Sequence, residues 1–375
     1  MRSGTAGLML LSGAAVTIGA ASWPASTPPL RWNPRAAAAY LDGRQAWWLT
    51  WKRAERDHET SCISCHTAVP YALARPALRT VLREQDLPAP ERKLLENVSR
   101  RVRLWKEVEP FYPDQTNGLP KSSESRGTEA VLNALLLAMR DAEHGSVSDE
   151  ARAAFENMWA LQFTSGELNG AWAWLNFHLE PWESANGAYF GAALAAVAVG
   201  TEPEQYATKA DVQDRLKLLS VYLTRSAGAQ SLFNRVMLLW ASARLPALVS
   251  DSARQAIVDA LWSAQAGDGG WSLARLGQWK RTDASPLDTA SDGYATGLTA
   301  YALQRAGLTS DEPHVAKALR WLEDHQDPAM GMWTTTSLNK KRDAATDIGK
   351  FMSDAATAYA VLALTHRNAV PRGRN

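Results

Sequence analysis

Three stretches of this 375-residue chain repeat one device: a helix end, a glutamine, a glycine-containing turn and a tryptophan. The first runs Met158-Trp159-Ala160-Leu161-Gln162 and reaches Gly170-Ala171-Trp172. The second is Leu261-Trp262-Ser263-Ala264-Gln265 followed by Gly269-Gly270-Trp271, and the third is Trp321-Leu322, Gln326 and Gly331-Met332-Trp333. Each leads through a loop into a second segment rich in small apolar residues, over 186–200, 293–306 and 354–364. Weaker copies pair 36–54 with 69–82, 94–105 with 128–142, and 212–225 with 231–243, so the chain holds about six helix pairs. Repeated hairpins stack because none can bury its apolar face alone.

The two members of each pair differ. First helices mix charged and apolar residues and should face solvent on one side. Second helices, such as the run from Ala188 to Leu194, are apolar all round and should be buried on both faces. Outer amphipathic helices around inner apolar ones predict an all-α fold, an (α/α)6-type toroid of six hairpins forming one domain over 31–366. No alternating strand pattern competes with it. The formal net charge of +1 argues against a nucleic-acid partner or a polybasic membrane patch. Tryptophan is the unusual count, at 16, and reads as a structural signature or an aromatic cavity lining.

The Gln–Gly–x–Trp repeats resemble the QW motifs of squalene–hopene cyclases and related α/α-toroid proteins. The resemblance implies that Gln162/Trp172, Gln265/Trp271 and Gln326/Trp333 tie outer helices to the following turns. It also implies a search for the Asp-x-Asp-Asp acid of that family, and this chain has none. The nearest stretch, 288–292, has its carboxylates at Asp288 and Asp292, just before an inner helix. Asp288, Asp292, Asp354 and Glu183 read first as helix caps and second as candidate catalytic acids. All gather just before inner helices, where the loops of a ring fall on one end and a cavity mouth is expected.

The first hairpin carries Cys62-Ile63-Ser64-Cys65-His66, the only two cysteines of the chain. C-x-x-C-H is the spacing of c-type haem attachment, with the histidine as proximal ligand of the iron. It predicts one covalent haem c at the mouth, on Cys62, Cys65 and His66. A redox-active cysteine pair and a partial zinc site are the alternatives. Met352 and His178 are the candidates for the sixth iron ligand. Arg75 and Arg79, one turn apart, face haem propionates or simply solvent.

Residues 1–21 read as a signal peptide, with Arg2 and an apolar stretch from Ala6 to Ala21, so a periplasmic location is expected. An uncleaved anchor is the alternative, and the mature chain has no membrane span. Together these features predict an exported monohaem c-type cytochrome-like protein. Its expected role is redox: electron transfer to a partner protein, or haem-dependent oxidation of an apolar isoprenoid or lipid ligand. A terpenoid cyclase-like enzyme and a non-catalytic lipid- or haem-binding protein are the alternative readings.

Overall fold

Short polar residues set several of the helix starts. Asn33 accepts the Ala36 amide at the head of α1 (Pro34–Thr50), where Pro34 takes the first helical position. Ser148, Ser231 and Ser250 cap α5 (Asp149–Ala160), α8 (Leu232–Arg244) and α9 (Asp251–Ala264) in the same way. Glu312 and Pro313 begin α11 (Pro313–Asp324). The remaining helices are α2 (Ala68–Leu82), α3 (Ala89–Arg103), α4 (Ser122–His144), α6 (Gly187–Thr201), α7 (Ala210–Ser226), α10 (Gly293–Arg305) and α12 (Phe351–His366). The computed structural model describes Met1 and residues 31–366. The expected signal segment lies, apart from Met1, outside the described residues.

Among the described residues these twelve helices form six hairpins. The even-numbered helices are the inner ones, and each packs on its neighbours round a closed ring, α12 returning to α2. Their sequences explain the arrangement. Ala192 to Val199 of α6 and Ala355 to Ala363 of α12 are buried on every face, and the small side chains let helices approach closely. At Gly297 of α10 a methyl group would lie 2.5 Å from the backbone nitrogen of Ala360. The outer helices bury one face only; α11, for instance, buries Val315, Ala318, Leu319, Trp321 and Leu322 and leaves the rest outward. The all-α toroid of six hairpins expected from the repeats is the observed fold.

The glutamine–tryptophan device works as a three-way staple. Gln162 Nε2 donates to Gly170 O at 3.0 Å and to Arg215 O, in the next outer helix, at 3.0 Å. Gln265 does the same for Gly269 at 2.7 Å and His314 at 2.9 Å, and Gln326 for Gly331 at 2.8 Å and Asn33 at 3.0 Å. Each tryptophan is buried and returns its indole N–H to its own outer helix: Trp172 to Met158, Trp271 to Leu261 and Trp333 to Leu322. The glycine is required for two reasons at Gly331. Its φ is +74°, and a Cβ there would meet the Ala36 carbonyl carbon at 2.4 Å. Gln326 and Gly331 therefore close the ring onto α1 with the device used inside it.

Three local features depart from the sequence expectation. The first helix stops at Thr50, and the chain turns through a small antiparallel pair, β1 (Glu55–Arg56) and β2 (Thr60–Ser61). Strands of two residues have no period to read. Helix α4 begins at Ser122, ahead of the segment expected over 128–142, so Glu124 and Arg126 lie in its first turns. Helix α12 begins at Phe351, which puts Met352 and Asp354 inside the helix.

Candidate functional site

The loops ahead of α2, α4, α6 and α12 converge at one end of the ring and surround a cavity of about 1170 Å3. Its wall includes Trp48, Trp51, Tyr112, Phe177 and Phe351, and its rim includes Arg53, Lys340 and Arg342. Cys62, Ser64, His66, His178 and Glu183 face the same space. A smaller chamber of about 110 Å3 is also lined by His66 and Glu183, together with Trp182 and Met352. The expectation that the pre-inner-helix loops build one mouth therefore holds for four of the six hairpins.

The C-x-x-C-H segment is fixed at both ends. Cys62 N donates to Ala54 O at 2.8 Å, and Trp48 Nε1 donates to Cys62 O at 2.7 Å. Ser64 then caps α2, its Oγ accepting the amides of Thr67 at 3.2 Å and Ala68 at 3.0 Å. This places His66 two residues before the helix. Its ring stacks on Phe351 with centroids 3.8 Å apart, and Trp48 meets it edge-on at 5.0 Å. Nδ1 lies 2.8 Å from the Thr67 hydroxyl, which in turn donates to Asp354 at 2.7 Å. Asp354 is anchored by Arg44 Nε at 2.7 Å and by the Tyr40 hydroxyl at 2.8 Å.

Burial dominates the electrostatics. It pushes the Cys62 thiol up to about 12 and Cys65 upwards as well, so both are protonated at neutral pH. Burial, then the charges of Arg44 and Arg342, lower His66 to about 3, which keeps the imidazole neutral. Glu183 is raised to about 7 by burial, against a smaller opposite pull from Lys121. The cavity thus presents a neutral imidazole and a carboxyl that retains its proton near neutrality. Among the described residues, Arg53, Lys340 and Arg342 have no carboxylate within ion-pair reach, and they share the lining with Arg56 and with the acids Glu55, Asp57 and Glu109.

The other candidates from the sequence go elsewhere. Asp292 is an N-cap, accepting Tyr294 N at 3.0 Å and Ala295 N at 2.9 Å, and it also holds Thr335. Burial raises it to about 6. Asp288 accepts Ala290 N at 3.1 Å on the surface and does not line the mouth. Asp354 is not a cap but the buried partner of Arg44. Arg75 is held by Asp42 and Glu84, and Arg79 by Glu91 and Glu143. Neither arginine lines the mouth, because α2 carries them away from it and acids on α1, α3 and α4, with Glu84 just past α2, neutralise them. Met352 shares the small chamber with His66, and His178 lies on the outer wall. Sequence reasoning passed over Thr67, Phe351 and Tyr112 because single hydroxyls and aromatics carry no spacing signal. Lys340 and Arg342 read as a solvated loop, although it leads to the mouth.

No protein-family model matches the sequence, and no curated protein matches it. Solved structures do. The chain is similar to a glycosidase, solved as a single-residue variant, at 12% identity over 90% of this chain and 98% of that one, with a TM-score of 0.48. Two structures described as possible members of the GH105 family give like figures. The one from Klebsiella pneumoniae subsp. pneumoniae is 11% identical over 94% of this chain and 98% of that one, with a TM-score of 0.46. The one from Salmonella enterica serovar Paratyphi A is 10% identical over 94% and 98%, with a TM-score of 0.48. These findings correct the functional expectation. The first is named as a glycosidase and the other two as possible GH105 members; none of the three is named as a cytochrome, a haem-dependent oxidoreductase or a terpenoid cyclase. The described residues also contain no group of three or more His, Cys, Asp or Glu placed to hold a metal ion. The redox role and the cyclase alternative are accordingly set aside. Asp288 and Asp292, the nearest stand-ins for a cyclase acid, are a surface turn and a helix cap.

Proposed function

We propose that the mouth cavity binds a carboxylate-bearing ring ligand, and that Glu183 donates a proton or a hydrogen bond to it. One observation carries this reading: a single cavity combines an aromatic wall, the unpaired cations Arg53, Lys340 and Arg342, and a carboxyl raised to about 7. Flat ring faces pack well on tryptophan and phenylalanine, and anionic groups pair with arginine and lysine. A carboxyl held near pH 7 is suited to general-acid work at physiological pH.

Two ligand sources share this chemistry. One is an acidic sugar, whose ring face stacks on aromatics. The other is a covalently held haem c, retained as a cofactor proposal. Cys62 and His66 face the cavity, while Cys65 is buried behind them and would have to turn outwards for a second thioether. Bound there, the group would supply an iron centre on the His66 side. The chain's own residues hold the imidazole, present Glu183 and supply the aromatic wall. The staples described above support kinship with QW-repeat toroids at the level of architecture. No helix among the described residues is long and apolar enough to cross a membrane; export is part of the proposal.

The test uses the full chain with its Cys62→Ser/Cys65→Ser variant, titrated with hemin and with an acidic oligosaccharide while tryptophan fluorescence is followed. Saturable quenching that weakens at least tenfold in Arg342→Glu is expected for the true ligand class. Intact mass after expression in a host competent for haem attachment separates the two sources. No saturable binding of either probe and no added mass would overturn the reading.

A further inference from the structure

Asp354 and Thr67 stand 287 residues apart and meet only because α12 packs on α1 and α2. Burial raises Asp354 above the ordinary carboxylate value, and the ion pair with Arg44 opposes this in favour of the carboxylate, which can only accept hydrogen bonds. One oxygen takes Arg44 Nε–H and the Tyr40 hydroxyl; the other takes the Thr67 hydroxyl at 2.7 Å. A hydroxyl has one proton to give, and Thr67 has given it to Asp354. Towards His66 Nδ1, 2.8 Å away, the same oxygen can only accept. Nδ1 therefore carries the ring hydrogen, and the lone pair falls on Nε2, which has no hydrogen-bond partner among the described residues. Phe351 on the ring face and Trp48 at its edge prevent the imidazole from turning over.

We infer that Asp354 and Thr67 are positioning residues that lock His66 as the Nδ1–H tautomer and offer its Nε2 lone pair to the ligand of the mouth cavity. The inference rests on the reading of that cavity as a ligand site. It implies that the last hairpin completes a site whose motif lies in the first. A carboxylate acting through a neighbour in this way fixes both the ring orientation and the donor atom of a histidine. Thr67 is the weak link, since a methyl in place of its hydroxyl leaves Nδ1 and Asp354 without each other.

The full chain, produced without haem attachment and labelled with 15N-histidine, tests this through long-range 1H–15N correlation spectra at neutral pH. The expected result is a single His66 spin system with Nδ1 protonated. Thr67→Val should lose that signal in favour of the Nε2–H form, and Thr67→Ser should restore it. An Nε2–H pattern in the unmodified protein would overturn the inference without any variant having to fold. So would an unchanged Nδ1–H pattern in a Thr67→Val protein with native circular dichroism. The tautomer is read with no ligand present, so a failed ligand titration leaves this result readable.

Discussion

Glu183 makes the mouth pH-dependent. Its carboxyl titrates at about 7 in the fold against an ordinary 4.5, so the native state holds the proton more tightly than the unfolded chain does. The associated stability is fully present below the ordinary value and is lost as pH rises through about 7. Glu183→Gln should therefore flatten the pH dependence and make the protein more stable than wild type at pH 8, with little difference near the ordinary value of 4.5. Urea unfolding at the two pH values reads this, and a variant less stable at both would contradict it. Asp354 behaves in the opposite sense on substitution. It and Arg44 are both buried, so Asp354→Ala leaves Arg44 Nε and the Tyr40 and Thr67 hydroxyls without their acceptor, while Asp347 remains as the guanidinium's partner. A loss of about 1–3 kcal/mol is expected by chemical denaturation.

At the scale of elements, each staple joins three pieces of backbone through one amide group. Gln265→Ala would leave the carbonyls of Gly269 and His314 without their donor, at a cost of about 1–3 kcal/mol. Trp271→Ala removes a wholly buried indole, and a larger loss, about 3–5 kcal/mol, is expected in the same assay. These elements were legible because the signals are local: caps, turns and the glutamine–tryptophan spacing all act within a few residues of themselves. Helix existence and pairing followed for the same reason. What α2 does with Arg75 and Arg79 was not legible, since their partners Asp42, Glu84, Glu91 and Glu143 are scattered along the chain. Likewise Asp354 has the spacing of a cap, and only the closed ring shows that Arg44 and Thr67 claim it. The mouth itself was foreseen from loop placement, but its occupant was not, because a cavity's chemistry depends on which side chains turn inward.

At the scale of the molecule, the site needs both ends of the chain. The motif is held by α1 and α2, while Phe351 and Asp354 arrive from α12. Deleting residues 313–366 should unfold the first hairpin's loop as well as remove its neighbours. Limited proteolysis between Thr50 and Ala68 would detect it; a cleavage pattern like that of the intact chain would argue that the first hairpin stands alone. The seam at Gln326 and Gly331 has a further consequence. Because Asn33 and Ala36 are received there just as His314 and Lys317 are received by Gln265 and Gly269, the ring has no privileged starting point. A circular permutant that links residue 366 to residue 31 and opens instead near Glu204, between two hairpins, should assemble the same toroid. At the three seams closed by a glutamine staple, the order of hairpins along the chain is then interchangeable with the place where it opens.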